Sequence, residues 1–531
     1  MPEHLFISPF PHSMNDLQTT VDEQRFSIPI RGLSLAFLFA SAFLYCLPAL
    51  RAPFWGSGDA WSNLLPVVHY RSSILEKHTL PLYTDLWYGG RPQWQNPLWN
   101  FLYLPATLLW LLFPLDVGTR LVYLAHLWFT LWAAYCLASL FLAFEFGRIA
   151  SAILLTAPVL SAYLPAHTEK ILSWGWVLWA LYFFFRPWLP PLRRGLLSGL
   201  CVGVIPLTGS NYYAFYALLL MGSLLVAAGE RKTRLGFLLA ASIGLLHLPS
   251  VWHLIGQTRG NPDESVFSLG ISLSGILLSL AFGVTKPLGW ESWSPIGLPT
   301  LYLFLKLTVD KVRRRQIPAS SELALLVSMM LFILLATATL YRGHSLLDTF
   351  RVPMRALPFV ALTMLLLLLL WVAREDQRRA AFFFVLAAIQ VSLVSLLVRP
   401  TGSSYSPYDP QAQALADLLK SRGAKQVWLP SDDAREMYLH VALNRNGIGL
   451  PNVYYGDMGQ EPAITGRYCG YGFDHLITRH PIRTQQHYLK PDLWWTTARG
   501  MIARRNLEFV EKVSLYGRQL YVYRVICDGL R

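Results

Sequence analysis

Apolar runs separated by short polar breaks recur along the chain from residue 32 to residue 398. They lie near 32–50, 98–114, 120–142, 148–164, 171–185, 195–209, 212–228, 235–254, 267–284, 294–309, 322–340, 356–373 and 380–398. A run of ~18 or more apolar residues predicts a helix long enough to cross the hydrocarbon core of a bilayer. Beyond residue 400 the pattern changes. Residues 408–422 read as a helix, Lys425–Pro430 as a short strand and 433–445 as a second helix. Leu507–Val525 alternates apolar and polar positions about Tyr516-Gly517, the pattern of a hairpin. The stretch Arg399-Pro400-Thr401-Gly402-Ser403-Ser404 has the composition of a linker. The expected fold class is a polytopic α-helical membrane protein with a small C-terminal α/β domain. Its expected parts are an N-terminal segment 1–31, a membrane domain 32–399 with a first outer loop 51–97, and a water-soluble domain 400–531.

Composition strengthens this picture. Hydrophobic residues make up 54% of the 531 and charged residues 14%, against roughly a quarter charged in an ordinary soluble domain. A disordered chain, a coiled coil and a basic nucleic-acid-binding tail protein are excluded. The net charge of +14 is compatible with nucleic acid, anionic lipid or membrane topology until the charges are placed. Residues 1–399 hold 29 Lys/Arg and 19 Asp/Glu, and residues 400–531 hold 16 and 12. Four short segments, 186–194, 231–234, 306–315 and 374–379, together hold 14 of the Lys/Arg. The positive-inside rule puts all four in the cytoplasm. Loops 165–170, 209–211 and 341–355 are then outside.

Parity constrains the rest. Segment 98–114, with Pro105 and several aromatics, is expected to lie at the interface, and 267–284 to be re-entrant or on the surface. About eleven spans result, with the N-terminus cytoplasmic and the C-terminal domain extracytoplasmic. Residues 1–31 are polar, and the first run has no small-x-small cleavage pattern, so it reads as a signal anchor. Cys46, Cys136 and Cys201 lie in apolar runs and read as packing residues. Cys469 and Cys527 can pair in an oxidising compartment or remain apart.

The outer face carries the ionisable residues that topology does not explain. Asp59 follows the first run and two glycines; it reads either as the cap of a helix at Ala60 or as a functional carboxylate at the membrane surface. Asp85 and Arg91 stand among Trp87, Tyr88 and Trp94, which suits a sugar or phosphate and equally suits an interface belt. His167, Glu169 and Lys170 crowd one short loop. His167 and Glu169 suit a metal or acid–base role, and Lys170 a phosphate or an ion pair, with a solvated hairpin as the plainer reading. Arg351 and Arg355 are four apart, with Pro353 tolerated in a first helical turn. They suit a phosphate on a lipid head group, or anchor the interface. Asn211-Tyr212-Tyr213 at another outer turn can meet a head group or serve as interface aromatics.

These stretches resemble the YfhO-like branch of the GT-C superfamily of multi-span glycosyltransferases. The resemblance rests on Asp59, on L-P-L-Y-T-D-L-W-Y-G-G-R-P at 80–92, on N-P-L at 96–98, on H-T-E-K at 167–170 and on R-V-P-M-R at 351–355. It implies transfer of a hexosyl or pentosyl unit from a polyprenyl-phosphate carrier to a glycan, lipid or protein acceptor outside a bacterial inner membrane. It implies Asp59 as catalytic base and Glu169 as ligand of a divalent cation, Mg or Mn. It implies Arg351 and Arg355 at the carrier phosphate. Residue type and position add Lys170 at the same phosphate and Asp85, Arg91, His167, Tyr212 and Tyr213 as substrate contacts. Asp59 is followed by Ala60, so the paired acidic motif of some GT-C families is absent and metal dependence is open. Membrane lipids are expected partners and nucleic acid is not. The alternative is a non-catalytic subunit on a GT-C-like scaffold whose outer domain binds a partner. A transporter would want ionisable residues at mid-span, where this sequence has almost none.

Overall fold

The structure is a computed structural model that describes residues 32–51, 66–84, 91–95, 99–160, 168–249, 270–283, 294–341, 353–375, 377–397 and 409–428, with shorter pieces at 439, 442–443, 445–449, 474–478, 507–515 and 518–526. The chain divides into two compact units. One comprises Met1–Leu50 and Leu121–Thr401, the other Arg51–Arg120 and Gly402–Arg531.

The first unit is helical. Its elements are α1 (Gly32–Arg51), most of α3 (Leu115–Ser139), α4 (Glu145–Leu160), α5 (Thr168–Phe185), α6 (Pro191–Val204), α7 (Asn211–Ala228), α8 (Arg231–Ala241), α9 (Leu273–Phe282), α10 (Leu298–Arg313), α11 (Ser320–Ala336), α12 (Leu357–Val372) and α13 (Gln377–Leu397). Among the described residues, four stretches are long and apolar enough to cross a membrane: Leu115–Ser139, Asn211–Ala228, Met354–Val372 and Gln377–Ser395. Among the described residues of the run at 267–284, the helix is the ten-residue α9. The run at 235–254 holds the end of α8 followed by a 3-10 turn, Ser242–His247. Cys46, Cys136 and Cys201 are buried in helices, as packing residues are. Cys469 and Cys527, and most of 433–445, lie outside the described residues.

Polar contacts gather the helix ends into two sets. At one end Arg194 pairs with Glu230 at 2.6 Å, Arg374 with Glu322 at 2.7 Å and Arg314 with Glu375 at 4.0 Å. The Gln377 side chain accepts from the Ala143 amide there, and Glu145 accepts from Ser34 and Tyr135. These are the segments that the charge pattern groups together. At the other end Tyr45 meets Ser392, and Tyr123 meets Thr168 at 3.0 Å.

Helices α6 and α8 touch along glycines. A Cβ at Gly195, Gly199 or Gly236 would run into the backbone of the facing helix, at Thr233, Phe237 and Leu192 respectively. Small residues at four-residue spacing are the usual means by which helices approach closely in lipid. Replacing Gly199 with Val is expected to cost about 1–3 kcal/mol through overpacking. The measurement is the midpoint of heat-induced loss of folded protein in detergent, with Leu200→Val, on the exposed side of α6, as control. Equal midpoints for the two variants would refute the close contact.

The second unit begins with helical residues 66–71, which run on into a π-helical turn, Ser72–Glu76. A minimal hairpin follows, β1 (Tyr83–Thr84) against β2 (Arg91–Pro92), and then α2 (Leu104–Leu112). Nine residues of α-helix rise only about 14 Å, so the run at 98–114 forms no membrane-crossing helix. The same unit holds α14 (Pro410–Ser421), whose N-cap Asp409 accepts from the amides of Gln411 and Ala412, both at 2.9 Å. Ala412, Leu415, Ala416 and Leu419 form its buried stripe, at the spacing of an amphipathic helix. A four-stranded sheet in the order β3-β4-β6-β5 accompanies it, from β3 (Val427–Trp428), β4 (His475–Thr478), β5 (Leu507–Leu515) and β6 (Arg518–Val525). Strands β5 and β6 pair antiparallel with Leu515 opposite Arg518, as the alternation predicts.

Candidate active site

The site is built on the starts of α5, α7 and α12. Helix α5 opens with Thr168, Glu169 and Lys170. The Thr168 hydroxyl lies 3.0 Å from that of Tyr123, which ties the start of α5 to α3. A carboxylate in a first helical turn is favoured by the unpaired amides there, and Glu169 occupies that place. Glu169 is 8% exposed and Lys170 1%. The plainer expectation of a solvated hairpin is therefore corrected: the loop's charged end is helical and enclosed.

Helix α7 starts after Gly209, whose φ of +84° is a left-handed conformation that glycine adopts without a Cβ penalty. That turn lets the chain leave the 3-10 segment Pro206–Thr208 and begin α7 at Asn211. Asn211 and Tyr213 are buried and Tyr212 is half-buried. Arg355 lies in the 3-10 turn Pro353–Ala356 directly before α12. Its guanidinium carbon is 4.6 Å from the centre of the Tyr212 ring.

Below this contact an aromatic cluster fixes the three helices. The Phe359 ring is 5.4 Å from Trp174, 5.4 Å from Tyr213, 5.4 Å from Tyr216 and 5.3 Å from Phe332. These residues come from α12, α5, α7 and α11. The Trp174 indole donates to the Leu155 carbonyl at 2.8 Å, which adds α4. Arg355 precedes Phe359 by one helical turn, and Tyr212 precedes Tyr213 by one residue. The cluster therefore sets the register in which Arg355 and Tyr212 meet.

The stack has a chemical consequence. A guanidinium uses its face against an aromatic ring and keeps its N–H donors in the plane, the geometry that grips carboxylate or phosphate. The contact itself contributes about 0.5–2 kcal/mol, depending on desolvation.

Of the sequence-predicted site residues, Arg355 and Tyr212 are brought into contact, and Tyr213 joins the cluster beside them. Glu169 and Lys170 are placed and buried. Arg91 lies in β2 opposite Thr84. Asp59, Asp85, His167 and Arg351 lie outside the described residues. Sequence reasoning missed Tyr123, Trp174 and Phe359 as the residues that hold the site together. Their only signal was aromatic type, which in apolar runs marks ordinary packing as well. Among the described residues no three His, Cys, Asp or Glu side chains gather to hold a metal.

Comparison with known proteins bears on the fold. No family model matches the sequence, and no curated protein matches it. Among solved structures, the arabinofuranosyltransferase AftD from Mycobacteria is similar over 93% of this chain, at 16% identity and a TM-score of 0.55. A mutant form of the same enzyme is similar over 93% of this chain, at 15% identity and a TM-score of 0.52. The chain spans 40% of the length of the first structure and 41% of the second. At this identity the likeness is one of fold.

Proposed function

We propose that the chain is a membrane glycosyltransferase that takes a sugar from a polyprenyl-phosphate carrier and passes it to an acceptor outside a bacterial inner membrane. The observation that carries this reading is the Arg355 guanidinium stacked on Tyr212 at 4.6 Å, at the head of α12 in a GT-C fold. With the basic helix ends in the cytoplasm, this contact lies at the opposite, outer ends of its helices.

In the proposed reaction Asp59 takes the proton of the acceptor hydroxyl. The acceptor oxygen attacks the anomeric carbon, and the bond from that carbon to the carrier phosphate oxygen breaks. Charge develops on the leaving phosphate, where Arg355, with Arg351, supplies preorganised donors. Lys170 can serve the same phosphate only inside a pocket as enclosed as Lys170 itself. Tyr212 and Tyr213 act as wall and support. Asp85, Arg91 and His167 are assigned to sugar or acceptor contacts. Glu169 would be one ligand of a Mg or Mn ion.

The test uses the full chain in lipid nanodiscs, with undecaprenyl phosphate as probe and native mass spectrometry as readout. Binding of the probe is expected. Asp59→Asn is expected to keep that binding and to lose transfer by about 100-fold or more. A wild-type chain that binds no polyprenyl phosphate would overturn the reading.

A further inference from the structure

The second unit contains a set of buried polar atoms that the reaction above does not use. Tyr70, from the helical segment before the β1–β2 hairpin, packs its ring on Phe101 at 5.6 Å and on Trp110 at 6.4 Å. Trp99 packs on Phe101 at 5.7 Å. Between Trp99 and Phe101 in sequence stands Asn100. Thr107, one turn into α2, donates to the Phe101 carbonyl at 2.9 Å and contacts the Asn100 carbonyl at 3.3 Å. The Tyr70 hydroxyl is enclosed without a hydrogen-bond partner, and burial pushes its pKa well above the usual range for tyrosine. Residues 70, 99, 100, 101, 107 and 110 therefore form one connected aromatic and polar cluster.

Trp99 is 5% exposed and Asn100 4%. The Trp99 indole N–H and the Asn100 side-chain oxygen are buried with no hydrogen-bond partner. Buried polar groups in native proteins are nearly always paired, and each exception calls for a partner. One donor, one acceptor and flat aromatic walls match the alternating hydroxyl and C–H faces of a sugar ring.

We infer that Trp99 and Asn100 form a subsite for a neutral sugar ring, the acceptor in the proposed transfer. The acceptor role rests on the proposed transferase function. The binding chemistry stands without it. An ionic ligand is disfavoured, because none of these side chains carries a charge.

The test is saturation-transfer NMR on the full chain in nanodiscs, with the methyl glycosides of arabinofuranose, mannopyranose and glucopyranose as probes and cyclohexanol as an apolar control. Transfer from aromatic protons to at least one glycoside, and not to cyclohexanol, is expected. Asn100→Leu keeps the volume and removes the polar atoms. It is expected to reduce the signal at least fivefold while leaving the thermal midpoint equal or higher, since it deletes an unpartnered amide. Trp99→Phe keeps a ring and removes the N–H, and should weaken the signal without abolishing it. No transfer to any glycoside in the wild type, or an undiminished signal in both variants, would overturn the subsite, with water as the sole occupant. Undecaprenyl phosphate binding, measured on the same preparation, reports separately on the transferase reading.

Discussion

Replacing Arg374 with Met is expected to cost the membrane helices about 2–3 kcal/mol. Glu322 sits in the first turn of α11 with its side chain 3% exposed, and the Arg374 guanidinium donates to it at 2.7 Å. The second carboxylate oxygen accepts from the Ala319 amide at 3.3 Å. Removing the arginine leaves that carboxylate enclosed and uncompensated, which in a fully buried pair costs ~3–5 kcal/mol. Arg374 keeps 37% of its side chain exposed, so water screens part of the pair and the expected cost is lower. The double variant Arg374→Met, Glu322→Leu should recover most of the loss, because both charges then leave together. The readout is the thermal midpoint in detergent. A single variant as stable as the wild type would show that the ion pair holds nothing.

The second large effect concerns the stacked arginine. Arg355→Lys keeps the charge but loses the planar fork and the face that lies on Tyr212. Affinity for undecaprenyl phosphate is expected to fall about 10- to 100-fold, from the loss of about 1.5–3 kcal/mol of charge-assisted hydrogen bonding. Tyr212→Phe should change affinity little, since the ring supplies the stack. Tyr212→Leu should fall between wild type and Arg355→Lys. Equal affinities for Tyr212→Phe and Tyr212→Leu would show that the ring does not position the guanidinium. An unchanged affinity in Arg355→Lys would remove the residue from the carrier site.

Much of the architecture is legible in one sequence, for identifiable reasons. The β5–β6 hairpin follows from two-residue alternation about Tyr516-Gly517. Helix α14 follows from Asp409-Pro410 at its start and its apolar stripe. The basic segments 186–194, 306–315 and 374–379 share one set of helix ends because each carries charge that cannot enter lipid. Other features are not local and leave no local trace. Arg355 and Tyr212 are 143 positions apart, and nothing in either neighbourhood names the other. Glu322 reads as a helix-start acid, and its partner lies 52 residues away. His167-Thr168-Glu169-Lys170 reads as a polar loop because its composition is polar. Only the packing of α5 on its neighbours shows that two of those charges are enclosed. Trp99 and Asn100 look like interface residues until their hydrogen bonds are traced.

The 3-10 turn after α8 changes how far that segment reaches. An α-helix rises about 1.5 Å per residue and a 3-10 helix about 2.0 Å. Beyond the basic residues 231–234, Leu235–Ala241 and Ser242–His247 together therefore extend about 22 Å, against the ~30 Å hydrocarbon thickness of a bilayer. A purely α-helical segment would need about two more residues for the same depth. Tightening the coil also brings positions three apart into line. Ile243 and Leu246 are aligned in this way, and both are exposed, as are Leu245 and Leu248. The segment thus gains length and carries a line of exposed apolar side chains along the turn.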